Sequence, residues 1–352
     1  GSDLKKFKIA FIAALTAFLI FGLSSCNNSK KNDNTFYFLN WTYYTPDSVV
    51  KRFEETYNCK VVIDTFDSNE VMYTKLKAGA TGYDLTIPSQ DYTSILIKQG
   101  MIQKIDLEQF PNKKYINPDC LKKAESYDPD MTWCVPYCYA ADGIAVNKTK
   151  VKDYPRDWTI FEQPEFAGHM TMMDDMRLVM GAALRHLGYS LNSTTESELK
   201  EAVDLLNNKW KPNILKFDAE GYGKSFAAGD FWVCEGYAEV PFAEVPEDKQ
   251  DEVIDFFIPD SGAGAYLDSM VILKGAKHYD LAMKFINFIH EPTNYAEFLD
   301  QFKFPNYVNT EASKYTKKEP MYPVELLEKT ELKMDVGEFL DVYNEYWQQV
   351  RF

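Results

Sequence analysis

The stretch FYFLNWTYY, Phe36–Tyr44, decides how the rest of the chain is read. Phe36 to Leu39 is a short continuous apolar run, the pattern of a strand buried on both faces. It passes directly into Asn40-Trp41-Thr42-Tyr43-Tyr44 before Pro46 closes the segment. In an open α/β sheet ligands sit beyond the carboxyl ends of the strands, so a strand ending in aromatic and hydroxyl side chains reads as one wall of a crevice. The alternative is a strand end whose Trp and Tyr merely sit beneath a loop. The next residues make the opening a βαβ unit: Val49, Val50 and Phe53 recur at helical spacing behind Asp47 and Ser48, and Lys60 to Asp64 is a second strand. A helix from Val71 to Ala78 follows, capped by Asp67 or Ser68 and ended by Gly79 and Gly82. A third strand, Asp84 to Pro88, brings Ser89-Gln90-Asp91-Tyr92 level with the first aromatic cluster.

Working outward, Ile95 to Gly100 reads as a short helix, Ile102 to Asp106 as extended, and Pro111 to Asp130 as a long surface connection. Trp133 to Tyr139 and Gly143 to Asn147 are two apolar strands that cross into a second lobe. There a strand around His169 to Met173 ends at Asp174-Asp175, a helix runs from Leu178 to Leu187, and Thr195-x-x-Glu198 has the capping-box pattern for a helix from Glu196 to Trp210. Phe231 to Cys234 is a buried strand with Glu235-Gly236-Tyr237 past its end, and Val253 to Ile258 is another. Tyr266-Leu267-Asp268-Ser269 leads into a strand from Met270 to Leu273, Pro292 stops a helix from Tyr279 to His290, and the tail from Met334 to Val350 is helical. The pattern is α/β with two lobes, acidic or aromatic residues recurring at the strand ends of both. Such a chain closes an interlobe cleft on a ligand by a hinge motion. The expected division is residues 36–139 with about 262–310 in one lobe, about 140–261 in the other, and 311–352 as a helical segment across both.

The totals narrow the function. With 352 residues the chain has room for two sizeable cores. Hydrophobic and charged fractions of 45% and 26% are those of an ordinary soluble protein. The 38 Lys plus Arg against 53 Asp plus Glu give −15, which argues against nucleic acid and anionic lipid and favours cationic ligands through long-range steering.

The N-terminus carries a targeting pattern. Lys5, Lys6 and Lys8 precede an apolar run from Ile9 to Leu23, which at 15 residues is short of the roughly 20 that span a bilayer, and Leu23-Ser24-Ser25-Cys26 follows. Residues 1–25 are read as a signal peptide, Gly1-Ser2 as a cloning remnant at its start, and 26–35 as a polar tether. Five further cysteines are an odd number. Cys134 and Cys138 flank an extended stretch in which residues four apart lie roughly 13 Å from each other, too far for a disulfide. Without a neighbouring His they do not suggest zinc either, and buried inert thiols are expected.

The motifs NWTYYTP at 40–46, TFDSNEVMYTKLKAG at 65–79, YDLTIPS at 83–89, GMIQKID at 100–106, DDMR at 174–177, YLDS at 266–269 and MDVG at 334–337 fall in one order. That order resembles the polyamine-binding proteins of spermidine/putrescine ABC transporters. The resemblance covers roughly residues 36–350. It implies the two-lobed periplasmic-binding-protein fold (type II), a monomer that hands ligand to an ABC permease, and no cofactor or metal. Leu-Ser-Ser-Cys resembles the lipobox of bacterial lipoproteins, which implies lipidation of Cys26 and a membrane-anchored protein facing the periplasm or cell exterior. By the same resemblance Trp41 and Tyr44 flank an alkyl chain, Ser89 and Asp175 contact the ligand, and Asp268 holds an amine beside Tyr266. Thr42, Tyr43, Tyr92, Tyr237 and Phe304 complete the expected wall. Departures stand at Tyr43, where an acid is usual, at Leu178, again in place of an acid, at Cys234 for a Trp, and at Lys333 for a Gln. A buried ammonium needs a carboxylate or equivalent hydrogen bonds, so Asp91 and Glu235, read at strand ends facing the cleft, are candidates to compensate. Otherwise the pocket suits a ligand with fewer charges, held by cation–π contacts.

Two other classes compete. Paired carboxylates on facing lobes suggest acid/base catalysis, yet GxSxG, HExxH and metal-ligand spacings are absent and the four His, at 169, 186, 278 and 290, are scattered. A ligand sensor would share every residue feature of a transport protein.

Overall fold

The computed structural model describes residues 34–352; the expected signal peptide and Cys26 lie outside the described residues. The chain opens as the sequence dictates. Strand β1 (Thr35–Trp41) buries Phe36 and Phe38 on one face against Phe53 and Phe285, and Leu39 on the other beside Met72 and Leu76. Both faces carry buried side chains, with only Tyr37 of the run exposed, which is why the run is continuously apolar. Helix Asp47–Tyr57 ends at Asn58 in the left-handed conformation. Strand β2 (Lys60–Phe66) pairs parallel with β1, and helix Asn69–Lys77 is capped by Ser68, whose hydroxyl accepts the Val71 amide. Strand β3 (Leu85–Thr86) also pairs parallel with β1.

Beyond it come β4 (Ile102–Gln103), β5 (Val135–Asn147), β6 (Met170–Met172), β7 (Ile214–Phe217), β8 (Val233–Tyr237), β9 (Ile254–Phe257), β10 (Ala263–Leu273) and β11 (Thr330–Leu332). Along one path the order is β2-β1-β3-β10-β5-β8-β6-β7, with β4 and β11 on β10 and β9 on β5. Two long strands therefore join two mostly parallel groups. The C-terminal part of β10 pairs β3 and β4, its N-terminal part pairs β5 and β11, and β5 continues onto β8 and β9. The fold is mixed α/β and two-lobed, with the β5–β10 ribbon at its centre. One cluster of buried apolar residues runs through both groups, and a smaller one lies under the outer face of β1. Among the described residues no helix is long and apolar enough to cross a membrane.

Several elements differ from expectation. The two strands read either side of Ala140-Ala141-Asp142 are one strand, β5, because pairing on both edges carries the chain straight through the acid. The segment 111–130 is not a surface tether: Ile116, Cys120 and Asp128 are buried and Pro118–Ala124 is helical behind an Asn117 cap. Helix Gln90–Lys98 starts five residues early, in place of a loop after β3. Tyr266 to Ser269 lie inside β10, not ahead of a strand. Pro292 opens a further helix, Pro292–Phe302, at the first position where a missing N–H costs nothing. The Thr195/Glu198 capping box does not form, since Ser193 Oγ takes Glu198.

One irregularity bears on the site. Between Asp268 and Ser269 the β10–β5 register slips from Cys138 to Pro136, leaving Tyr137 as the extra residue of a bulge. The idle carbonyls are satisfied from neighbouring helices: Tyr295 O–H donates to that of Tyr137 at 2.8 Å and His290 Nε2 lies 2.7 Å from that of Pro136.

Candidate functional site

A cavity of about 640 Å³ opens between the ends of the two strand groups. Its floor follows from strand periodicity. Gly264, Tyr266 and Asp268 alternate onto one face of β10, and cross-strand register puts Cys138, Ala140 and Asp142 of β5 on the same face.

Asp268 is 5% exposed and accepts two short hydrogen bonds, Tyr44 O–H to Oδ2 and Ser89 Oγ–H to Oδ1, each 2.6 Å. Both donors are neutral. Burial pushes the carboxyl up to about 7 against the pull of those two bonds, and the nearby Asp91 and Glu239 raise it further. The donors are themselves fixed. Tyr44 sits edge-on to Tyr137 at 4.9 Å, and Ser89, at the head of helix Gln90–Lys98, exchanges two 3.0 Å hydrogen bonds with the Asn69 amide. Trp41 Nε1 donates to the Ile87 carbonyl at 2.7 Å and its ring leans on Phe66, so the indole forms a set wall.

Next along the floor, Tyr266 donates to Glu239 Oε1 at 2.9 Å and meets Tyr237 edge-on at 5.6 Å. Burial raises the Glu239 carboxyl. Asp142 stands at the end of this row, 3% exposed, its acidity pushed up to about 8 by burial first and then by Asp175. Phe302 and Phe304 line the cavity and pack on Phe298.

Of the residues singled out in the sequence, Trp41, Thr42, Tyr43, Tyr44, Ser89, Asp91, Tyr237, Tyr266, Asp268 and Phe304 all line this cavity. Three candidates lie outside its lining. Tyr92 turns to Tyr73, ring centres 5.8 Å apart. Asp175 caps helix Met176–His186, accepting the Leu178 amide at 3.0 Å. Glu235 is inside β8 rather than past its end, fully buried, with Oε1 on the Met173 amide and Oε2 unpartnered; burial pushes its carboxyl well up. It cannot meet a ligand from there. Asp91 does face the cavity, but from the first turn of a helix, and it is ion-paired with Lys333 at 3.2 Å. The lysine that departs from the family pattern at 333 is thus answered by Asp91.

Sequence reasoning missed Asp142, Glu239 and Arg177. The signal for Asp142 was a lone acid within thirteen otherwise uncharged strand residues. Glu239 follows Tyr237 by two positions, and Arg177 lies within the DDMR motif. Arg177 lines the cavity with its guanidinium committed to the Met334 carbonyl and the Asn192 side chain. All five described cysteines are free, four of them buried. Among the described residues no cluster of His, Cys, Asp and Glu is placed to hold a metal.

The comparisons with known proteins agree. Residues 48–323 match the family described as bacterial extracellular solute-binding protein. The chain is 33% identical over 344 residues to the spermidine/putrescine-binding periplasmic protein of Escherichia coli, covering 95% of each. It is 31% identical over 317 residues to the putrescine-binding periplasmic protein SpuD of Pseudomonas aeruginosa, covering 86% of this chain and 85% of that one. Among solved structures, the Tp0655 (TpPotD) lipoprotein of Treponema pallidum superposes with a TM-score of 0.85 at 50% identity, over 90% of this chain and 99% of that one.

Proposed function

The chain belongs to the polyamine-binding branch of the bacterial extracellular solute-binding proteins, and on that premise we propose that it captures a polyamine between its lobes and delivers it to an ABC permease. The observation that carries this reading is Asp268: a carboxylate on a cavity floor, oriented by two neutral hydroxyls and left without a cation. An ammonium group supplies the missing charge and hydrogen bonds to an acceptor already aimed. Trp41, Tyr44, Tyr266 and Phe304 offer apolar faces for the methylene chain, where four buried CH₂ groups contribute about 3 kcal/mol.

Lobe closure then encloses the ligand. The lobes we assign are residues 36–139 with about 262–310, and about 140–261, so the change of lobe falls within β5. The working unit in this proposal is a monomer. The protein holds its ligand without chemical change. A lipid anchor at Cys26 would tether it outside the cytoplasmic membrane; the Treponema relative is named a lipoprotein, which supports this. Labelled palmitate carried by the full chain and lost in Cys26→Ser tests the anchor.

Calorimetric titration with putrescine, cadaverine, spermidine and spermine tests the ligand. Saturable binding that Asp268→Asn weakens by about thirtyfold or more is expected. No heat with any amine, or equal affinity in the variant, would overturn the proposal. The Asp91–Lys333 pair favours the diamines of that set, because a lysine already occupies one acid of the cavity.

A further inference from the structure

We propose that Asp142 receives the second ammonium group of a bound diamine, at the opposite end of the cavity floor from Asp268; the inference rests on the polyamine reading above. Of the acids lining the cavity, Asp91 is neutralised by Lys333 and Glu247 by Lys318 at 3.3 Å, while Glu239 accepts from Tyr266. Asp142 has no such partner. It is 97% removed from solvent, opens into the cavity, and takes part in none of the ion pairs among the described residues; its own backbone amide and that of Gly264 support it, and Lys333, already ion-paired with Asp91, adds only its field. A desolvated carboxylate without an ion-pair partner is retained against a cost, and a cationic ligand in direct contact reduces that cost.

The backbone is shaped around it. Gly264 lies across from Asp142 on β10, and a Cβ there would come within 2.7 Å of Asp142 Oδ1. Glycine at 264 therefore leaves room for the carboxylate to lie over that position of β10. Leu178, where the family resemblance has an acid, also lines the cavity and supplies no charge.

The spacing fits a short diamine. Asp268 faces Cys138 across the ribbon, and Asp142 is four residues farther along the same face, roughly 13 Å of strand. The nitrogens of a 1,4-diamine are about 6 Å apart by ordinary bond lengths. With a charge-assisted hydrogen bond of about 2.8 Å at either end, the span is about 12 Å.

The test is titration of the protein, Asp142→Asn, Asp268→Asn and Gly264→Ala with putrescine and with n-butylamine, which keeps the chain and one ammonium. Asp142→Asn should lower putrescine affinity about thirtyfold or more beyond any loss for butylamine. Asp268→Asn should lower both together. Gly264→Ala displaces the carboxylate without removing it and should act as Asp142→Asn does, which keeps the proposal testable if that variant does not fold. Equal losses for the two amines in Asp142→Asn, or putrescine affinity within threefold of the unaltered protein, would overturn the subsite and leave the polyamine reading standing. Failure of the unaltered protein to bind putrescine would overturn the subsite, and the polyamine reading falls with it only if cadaverine, spermidine and spermine give no heat either.

Discussion

Replacing Asp268 by Asn should make the ligand-free protein more stable at alkaline pH while disabling the site. In the folded chain burial lifts this carboxyl from its ordinary 3.8 to about 7, with Tyr44 and Ser89 donating to it and Asp91 and Glu239 facing it. A raised acid holds its proton in the native state after the unfolded chain has released it. Its contribution to stability is therefore intact below about pH 4 and is lost progressively as pH rises to about 7. A gap of about three pH units corresponds to about 4 kcal/mol. Asn keeps the volume and can still accept from a hydroxyl, so it adds an offset that does not vary with pH. Urea unfolding of both proteins without ligand, from pH 4.5 to pH 8, should show the variant gaining about 3 kcal/mol on the original across that range. Saturating putrescine should abolish the gain by stabilising only the original. A difference that stays level with pH would refute the claim that this carboxylate is desolvated and uncompensated.

Lys333→Gln removes the ammonium held by Asp91 and should raise spermidine affinity about tenfold relative to putrescine; competition calorimetry reads the ratio, and an unchanged ratio excludes Lys333 as a determinant of ligand charge. Tyr43 is 90% exposed at the cavity mouth with φ 54°, so Tyr43→Gly should leave the unfolding free energy nearly level, relief of left-handed strain offsetting glycine's entropy. The same change should weaken putrescine about fivefold through loss of its ring face. Finally, a thiol reagent on the native chain beginning after Cys26 should modify Cys59 alone and all five thiols in denaturant, since Cys120, Cys134, Cys138 and Cys234 are buried; mass spectrometry of the adducts checks it.

Where one element's own periodicity decides its state, the sequence was enough. The β1-helix-β2 opening, the Ser68 cap and the placement of Trp41, Tyr44 and Ser89 on one rim follow from short-range pattern. Asp268 and Tyr266, grouped with that rim by resemblance, do line the same cavity, but the local setting read for them was wrong. They sit mid-strand because β10 pairs with β3, β4, β5 and β11 along its length, which no local window records. The same blindness split β5 at Asp142 and hid that residue: an acid in an apolar run looks like a break unless the space facing it is known. Glu235 failed for the opposite reason. Burial pushes this carboxyl toward its neutral form, which a strand interior tolerates, so its letter suggested a strand end where the chain simply continues.

The bulge at Tyr137 is a matter of mechanics as well as register. Two rails joined rung by rung resist stretching and shear, and a missing rung is the place where they turn most easily. That joint lies beside Asp268. A cation bound at Asp268 therefore sits beside this irregularity of the β5–β10 ladder. Tyr295 and His290 hold the two carbonyls there from outside, so the bulge leaves neither acceptor unpaired.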